Sequence, residues 1–244
     1  MPDFSARRRR ALYCAILEPL EDRLLMSRLA GVDVSGHQSL SAASWVNLKS
    51  AGYTFAWTKA TEGLTFNDST LGANMTNAKN AGVLIGAYHF ARYDNQKGTS
   101  GADQEAAHFW GQISSYVVAD GKHLVPVLDL ENTQTNTPKS AGYTQTTLSQ
   151  WAVEFLTDIK SDAAAAGITL TPVIYTGASF AATWLDATVA QSFPLWMANY
   201  NGQPRDTGSP NFNGVVSPWQ SPNGWQFWQY TDAQSISGLG QPSR

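Results

Sequence analysis

Val125-Pro126-Val127-Leu128-Asp129-Leu130-Glu131-Asn132 is an apolar run that ends in two carboxylates, with Lys122 and His123 ahead of it. A run apolar on both faces suits a central parallel strand. Successive strand side chains alternate faces, so Asp129 and Glu131 point the same way while Leu130 packs opposite. Two carboxylates on one face disfavour each other's ionisation, and partial burial raises one further. One then stays protonated near neutrality while its neighbour stays charged, which divides acid from base work. Taken alone, the pattern D-x-E is equally that of a turn cap followed by a solvated strand end.

Working outward, the chain alternates strand and helix patterns. Three Ala-rich or polar stretches stop at Ala-Gly before an apolar run: Ala51-Gly52-Tyr53, Ala81-Gly82-Val83 and Ala166-Gly167-Ile168. Glycine there is the expected helix stop, and its repetition argues for βα units. Strands are predicted over Gly31–Val34, Thr54–Lys59, Val83–Ala91, Leu124–Glu131, Thr169–Tyr175, Phe193–Tyr200 and Trp225–Tyr230. Helices are predicted over Ser41–Ala51, Thr70–Ala81, Gly101–Val118, Thr144–Ala166 and Ala178–Leu185. This alternation suits an irregular, single-domain, TIM-like β/α barrel over residues 29–244 better than an open doubly wound sheet. The Pro-, Gly-, Asn- and Ser-rich stretch Gly202–Gly224 reads as a long surface loop.

Composition narrows the function classes. With 43% hydrophobic residues, 14% charged residues and a net charge of −3, the chain can build a core and offers no basic field for nucleic acid. Residues 1–28 hold six of the arginines and four acids, so the remainder is acidic. Arg7–Arg10, a short apolar stretch and Leu17-Glu18-Pro19-Leu20-Glu21-Asp22-Arg23-Leu24-Leu25 resemble a targeting segment of the LEPR-x-LL type, and export is expected. Cys14 is the only cysteine, which excludes an intrachain disulfide and a cysteine zinc site. His37, His89, His108 and His123 are scattered without metal-site spacing, so neither metal nor cofactor is expected. No apolar run is long enough for a transmembrane helix, and a monomer is expected.

In a barrel, functional side chains gather at the C-terminal ends of the strands. Asp33 ends the first predicted strand, Lys59 and Glu62 the second, Tyr88 and His89 the third, and Asp129 and Glu131 the fourth. Tyr175 ends the fifth, Trp196 and Asn199 the sixth, and Trp228, Gln229 and Tyr230 the last. Together they make an acidic cleft with aromatic walls. Separately, Lys59 with Glu62 reads equally as a structural ion pair, and His89 as a satisfied buried histidine.

These residues also carry a resemblance. Gly31-Val32-Asp33-Val34-Ser35, Lys59-Ala60-Thr61-Glu62-Gly63, Gly86-Ala87-Tyr88-His89-Phe90, Leu128-Asp129-Leu130-Glu131, Ile174-Tyr175-Thr176, Pro194-Leu195-Trp196-Met197-Ala198-Asn199-Tyr200 and Trp228-Gln229-Tyr230, in that order, look like the glycoside hydrolase family 25 muramidases. The resemblance implies an irregular β/α barrel that cleaves the β-1,4 bond between N-acetylmuramic acid and N-acetylglucosamine in peptidoglycan glycan strands. It implies Glu131 as general acid, with Asp33 and Asp129 as its acidic partners. Lys59, Glu62, Tyr88, His89, Tyr175, Trp196, Asn199, Trp228 and Gln229 would line the substrate. One departure stands out: a further aspartate usual in the family's ending is absent from Gly238-Leu239-Gly240-Gln241-Pro242-Ser243-Arg244, and Asp232 lies ahead of that position. A catalytically weak wall-binding barrel and a chitin-directed glycosidase therefore stay open as alternatives.

Overall fold

A computed structural model describes residues 28–38, 40–220, 224–232, 234–235 and 242–243. The leader up to residue 27 and most of the C-terminal ending lie outside the described residues.

The elements, in order, are β1 (Ala30–Val34), α1 (Ala42–Ser50), β2 (Tyr53–Glu62), β3 (Phe66–Asn67), α2 (Leu71–Asn80), β4 (Leu84–Phe90) and α3 (Thr99–Ile113). A 3-10 turn (Ser114–Tyr116) leads to β5 (Val127–Asp129), α4 (Gln145–Ala165), β6 (Val173–Gly177), α5 (Ala178–Trp184), α6 (Ala187–Ser192), β7 (Leu195–Ala198) and β8 (Trp225–Gln229). A short antiparallel pair, β9 (Gln234–Ser235) and β10 (Pro242–Ser243), follows. The main sheet runs β1-β2-β4-β5-β6-β7-β8, all parallel, with β3 an antiparallel tab on β2. Curled on itself with helices outside, this is the irregular TIM-like barrel expected. Among the described residues no backbone ladder joins β8 to β1, which leaves a seam between these two strands, with β10 close to β1.

Local chemistry explains the element ends. Ser41 and Thr144 cap α1 and α4, each with a reciprocal bond to the residue three positions on. The predicted Ala-Gly stops hold: Gly52, Gly82 and Gly167 have φ of 91°, 76° and 80°, a region only glycine enters cheaply. Two predicted strands begin late. Leu124 still bonds Ile85 and Val173 still bonds Pro126, but Pro126 and Pro172 have no N–H to give the ladder, which is regular only from Val127 and Val173. Helix α3 stops at Ile113 rather than Val118, at a Ser114-Ser115 pair of weak helix propensity. Helix α6 was not foreseen; the Asp186 carboxylate caps it by accepting from the Thr188 N–H at 2.9 Å.

The sheet separates two cores. Between sheet and helices lies the larger one, holding Trp45, Ile85, Leu128, Leu130, Phe155, Ile174 and Met197 among others. Inside the barrel Trp57, Val127, Val173 and Trp196 pack with Phe55, Tyr88, Tyr175 and Phe227. Val127 faces inward while Leu128 and Leu130 face the helices, as the period of two requires. Each large apolar side chain buried this way contributes about 1.5–3 kcal/mol before conformational entropy is subtracted. Arg28, assigned to the leader by sequence, belongs to the folded body: it donates to the backbone oxygens of Arg205 and Gly208 and lies over Trp225 and Trp228.

Candidate active site

The inward face ends, at the C-terminal rim, in a cleft of about 430 Å³ lined by Asp33, Lys59, Glu62, Tyr88, Asp129, Glu131, Tyr175, Trp196 and Gln229, with His37, Tyr200 and Asp232. Strand parity selects these residues. Asp33 lies in register with Trp57, and Asp129 pairs with Phe90 on one side and Tyr175 on the other. On β2 a bulge at Ala60 leaves both Ala60 and Thr61 fully buried, and it shifts the register so that Lys59 pairs with Tyr88 and Glu62 with Phe90. Lys59 and Glu62, three residues apart, are thereby both aimed into the cleft.

Three carboxyls share the floor. Burial pushes Asp33 up to about 6, opposed by a hydrogen bond from Gln229 Nε2 to Asp33 Oδ1 at 2.9 Å and reinforced by the charge of Asp232. Asp129 is raised well above the ordinary carboxylate range by burial, and then by the charges of Glu131 and Asp33, with Lys59 opposing. Its Oδ1 is buried without a hydrogen-bond partner. Glu131 is raised by burial and by the charge of Asp33, again against Lys59. An acid held protonated beside another that can carry charge is the arrangement for proton transfer to a leaving group.

The cation is itself restrained. Lys59 Nζ lies 2.7 Å from Glu62 Oε2, between the rings of Phe66 and Phe90 at 5.2 and 5.0 Å. Arg92 Nη1 reaches the other Glu62 oxygen at 3.1 Å, and Arg92 Nε reaches Asp94 Oδ1 at 3.0 Å. Burial pushes Glu62 upward, but its bonds and charge interactions with Lys59 and Arg92 win and hold it below its ordinary value. Tyr88 and Tyr175 are both raised, first by burial and then by neighbouring charges that include Asp33 and Asp129, so each remains a neutral phenol.

Three residues expected to touch substrate lie elsewhere. His89 is fully buried on the outward face of β4, with Nε2 at 2.8 Å from Glu105 Oε2, Nδ1 at 2.7 Å from Thr61 Oγ1 and its ring stacked on Phe155. Burial lowers its pKa despite the Glu105 partner, so it stays neutral. Trp228 alternates with Phe227 and Gln229, points away from the cleft and donates from Nε1 to the Asn199 carbonyl at 2.9 Å. The Asn199 side chain accepts from Asn211 N at 2.9 Å, bracing the loop after β7. Tyr88 and His89, like Trp228 and Gln229, are neighbours on one strand and cannot both face inward, and the fold gives the cleft to Tyr88 and Gln229.

Other rim residues were missed. Tyr200 and His37 line the cleft from loops, where periodicity gives no signal, and Asp232 reaches the rim although it stood apart from the family ending. Among the described residues the one cluster with metal-ligand spacing, Asp103, Glu154 and Asp158, sits on the helices away from the cleft. No described helix is long and apolar enough to cross a membrane.

The sequence profile of glycosyl hydrolases family 25 matches residues 32–239. Lysozyme M1 of Streptomyces globisporus is 35% identical over 224 residues, 87% of this chain; the chain spans 65% of that protein's length. The N,O-diacetylmuramidase of Arthroderma benhamiae is 31% identical over 85% of this chain and 79% of its own. The crystal structure of a bacterial lysozyme from Streptomyces coelicolor superposes with a TM-score of 0.67 at 31% identity, covering 88% of this chain and 89% of that one. With the barrel, the carboxyl-lined rim and a profile match over most of its length, the chain belongs to glycosyl hydrolases family 25.

Proposed function

We propose that this chain is a peptidoglycan muramidase, hydrolysing the β-1,4 bond between N-acetylmuramic acid and N-acetylglucosamine with Glu131 as general acid. The observation that carries the reading is the buried, unpartnered Oδ1 of Asp129 beside the second acid, Glu131. An unsatisfied buried acceptor costs free energy, about 1–3 kcal/mol, and is tolerated where a ligand completes it. Asp129 lines the cleft, and with its carboxylate turned toward the opening the N–H of a 2-acetamido group is such a partner. Its donation favours the Asp129 carboxylate, and the charge on Asp129 then holds the shared proton on Glu131.

The acetamido oxygen attacks the anomeric carbon while Glu131 gives its proton to the leaving oxygen, so the glycosidic C–O bond breaks as the ring oxygen shares the positive charge. Water, deprotonated by Glu131, then opens the cyclic intermediate and returns both groups to their starting states. Asp129 as a direct nucleophile is the competing route. Asp33 supplies the charge that raises both partners. The exposed ring of Tyr200 at the rim offers an apolar face to a sugar ring, above the buried Trp196 and the partly buried Tyr175.

We propose further that the protein is exported and monomeric, and that residues 1–28, apart from Arg28, are a leader dispensable for folding. The test is incubation with purified peptidoglycan, scored for new reducing ends on muramic acid, with chitin oligomers as counter-substrate. A protein that sediments with the wall but releases no reducing ends is a binding barrel, and release from chitin alone makes it a chitin-directed glycosidase.

A further inference from the structure

Asp33 stands on β1, at the seam, where no backbone ladder to β8 supports it among the described residues. Directly across is Gln229, the last residue of β8. Its side-chain oxygen accepts from the Tyr175 hydroxyl at 2.7 Å and from the Tyr200 hydroxyl, and its Nε2 donates to Asp33 Oδ1 at 2.9 Å. We propose that Gln229 is a positioning residue for Asp33: held by Tyr175 and Tyr200, it turns its amide N–H across the seam and fixes the Asp33 carboxylate in the cleft.

Donors and acceptors fix which way the Gln229 amide turns. A glutamine offers one acceptor oxygen and one donor nitrogen. Burial first, then nearby charge, keeps the Tyr175 phenol protonated, and burial pushes Tyr200 up to about 12, so both are donors at any working pH. Two donors on the oxygen leave the nitrogen for Asp33; the flipped amide would set oxygen against a carboxylate oxygen. Asp33 therefore receives a hydrogen bond that favours its charged form, against the desolvation that disfavours it. The consequence spreads, because the Asp33 charge raises both Asp129 and Glu131. The clamp thus governs where the shared proton sits without touching the reacting atoms.

The titratable groups lining the cleft with Asp33 are His37 after β1, Lys59 and Glu62 of β2, Tyr88 of β4, Asp129 and Glu131 at β5, Tyr175 of β6, Tyr200 after β7 and Asp232 after β8. Lys59, the cation among them, is bound to Glu62, and Gln229 is the side chain that donates to Asp33, beside the backbone N–H of Asp33 itself.

For its kinetic consequences the proposal rests on the muramidase reading; the clamp itself does not. Two measurements separate them. Carbon-13 NMR of carboxyl-labelled aspartate, with Asp33 assigned by Asp33→Asn, follows its titration directly. In Gln229→Leu the Asp33 midpoint should rise by about one pH unit, the ordinary size of a charge-assisted hydrogen bond. In Tyr200→Phe, which keeps the ring and guards against an unfolded Gln229→Leu, it should rise by less. Midpoints unmoved in the folded variants overturn the clamp. On peptidoglycan, the acid limb of kcat/KM should move up with the Asp33 midpoint in Gln229→Leu while KM stays near its starting value. Gln229→Glu should restore the profile at low pH, where its protonated acid supplies the missing donor. A raised KM at every pH with an unmoved acid limb makes Gln229 a substrate ligand and overturns the proposal. If the wild-type protein releases no reducing ends while the Asp33 midpoint still moves, the muramidase reading falls and the clamp stands.

Discussion

Asp94 and Asp129 are both aspartates in the rim region, and their surroundings treat them in opposite ways. Asp94 takes bonds from Arg92, Thr133, Thr135 and Asn136. Burial pushes it upward, but those bonds hold it well below its ordinary value. Asp129 has a buried oxygen with no partner and is pushed far up. A carboxylate whose acceptors are filled by its own chain is part of the scaffold; one left unfilled at a cleft waits for a ligand. Glu105 takes both the His89 ring and the Arg92 N–H at 2.9 Å on Oε2 and leaves Oε1 buried without a partner, so its place behind the sheet, away from the cleft, sets it with the scaffold, while Glu131 lines the cleft with Asp129.

The largest effect should come from Glu131→Gln, which keeps shape but not the proton. Turnover on peptidoglycan should drop by about 10² to 10⁴, roughly 3–5 kcal/mol of activation free energy, with binding retained. A substrate with a nitrophenolate leaving group should recover part of that loss, whereas Asp129→Asn should gain nothing from it. The opposite pattern of rescue would mean that the two carboxyls exchange roles.

His89→Ala tests the other side of the comparison. It leaves Glu105 buried without its ring partner and opens a cavity against Phe155, so stability should fall by about 3 kcal/mol, read by denaturant melts, while KM stays within about twofold. A large rise in KM with an unchanged melting curve would return His89 to the cleft.

A pair of amides sharpens the contrast. Asp94→Asn should lower the melting temperature at pH 7 by about 3–6 °C, and Asp129→Asn should leave it unchanged or raise it. The signs follow from linkage. The folded-state pKa of Asp94 is depressed, so its stabilisation is present above the ordinary aspartate value of 3.8 and fades as pH falls below it. That of Asp129 is raised, so its ionisation costs stability progressively as pH climbs from 3.8 through the folded value. Melting temperatures measured from pH 3 to pH 8 should therefore converge with wild type at low pH for Asp129→Asn, whereas Asp94→Asn should still melt below wild type at pH 3, because the folded-state value of Asp94 lies well under that range.

The smallest effect belongs to Asp232→Asn. Asp232 is exposed at the rim and its charge raises Asp33, so removing that charge should shift the Asp33 titration modestly downward and change turnover about two- to threefold. A loss as large as that of Glu131→Gln would make Asp232 part of the catalytic set.

Much of this was legible in the chain. The period of two in Val127-Leu128-Asp129-Leu130-Glu131 placed both acids inward, and the Ala-Gly stops at Gly52, Gly82 and Gly167 marked the βα units. That rule applied strictly would also have admitted only one of Tyr88 and His89, and one of Trp228 and Gln229, to the cleft. These features are local: backbone sterics and side-chain alternation act over a few residues, so sequence alone determined them. The bulge at Ala60 that aims Glu62, the hydrogen bond that crosses between β1 and β8, and the identity of each carboxylate's partner were decided only by tertiary structure. Asp33 and Gln229 stand 196 positions apart, and Asp94 meets Asn136 from 42 away. Hydrogen-bond satisfaction and exclusion of water depend on which distant segments the fold brings within 3 Å, and no local pattern encodes that.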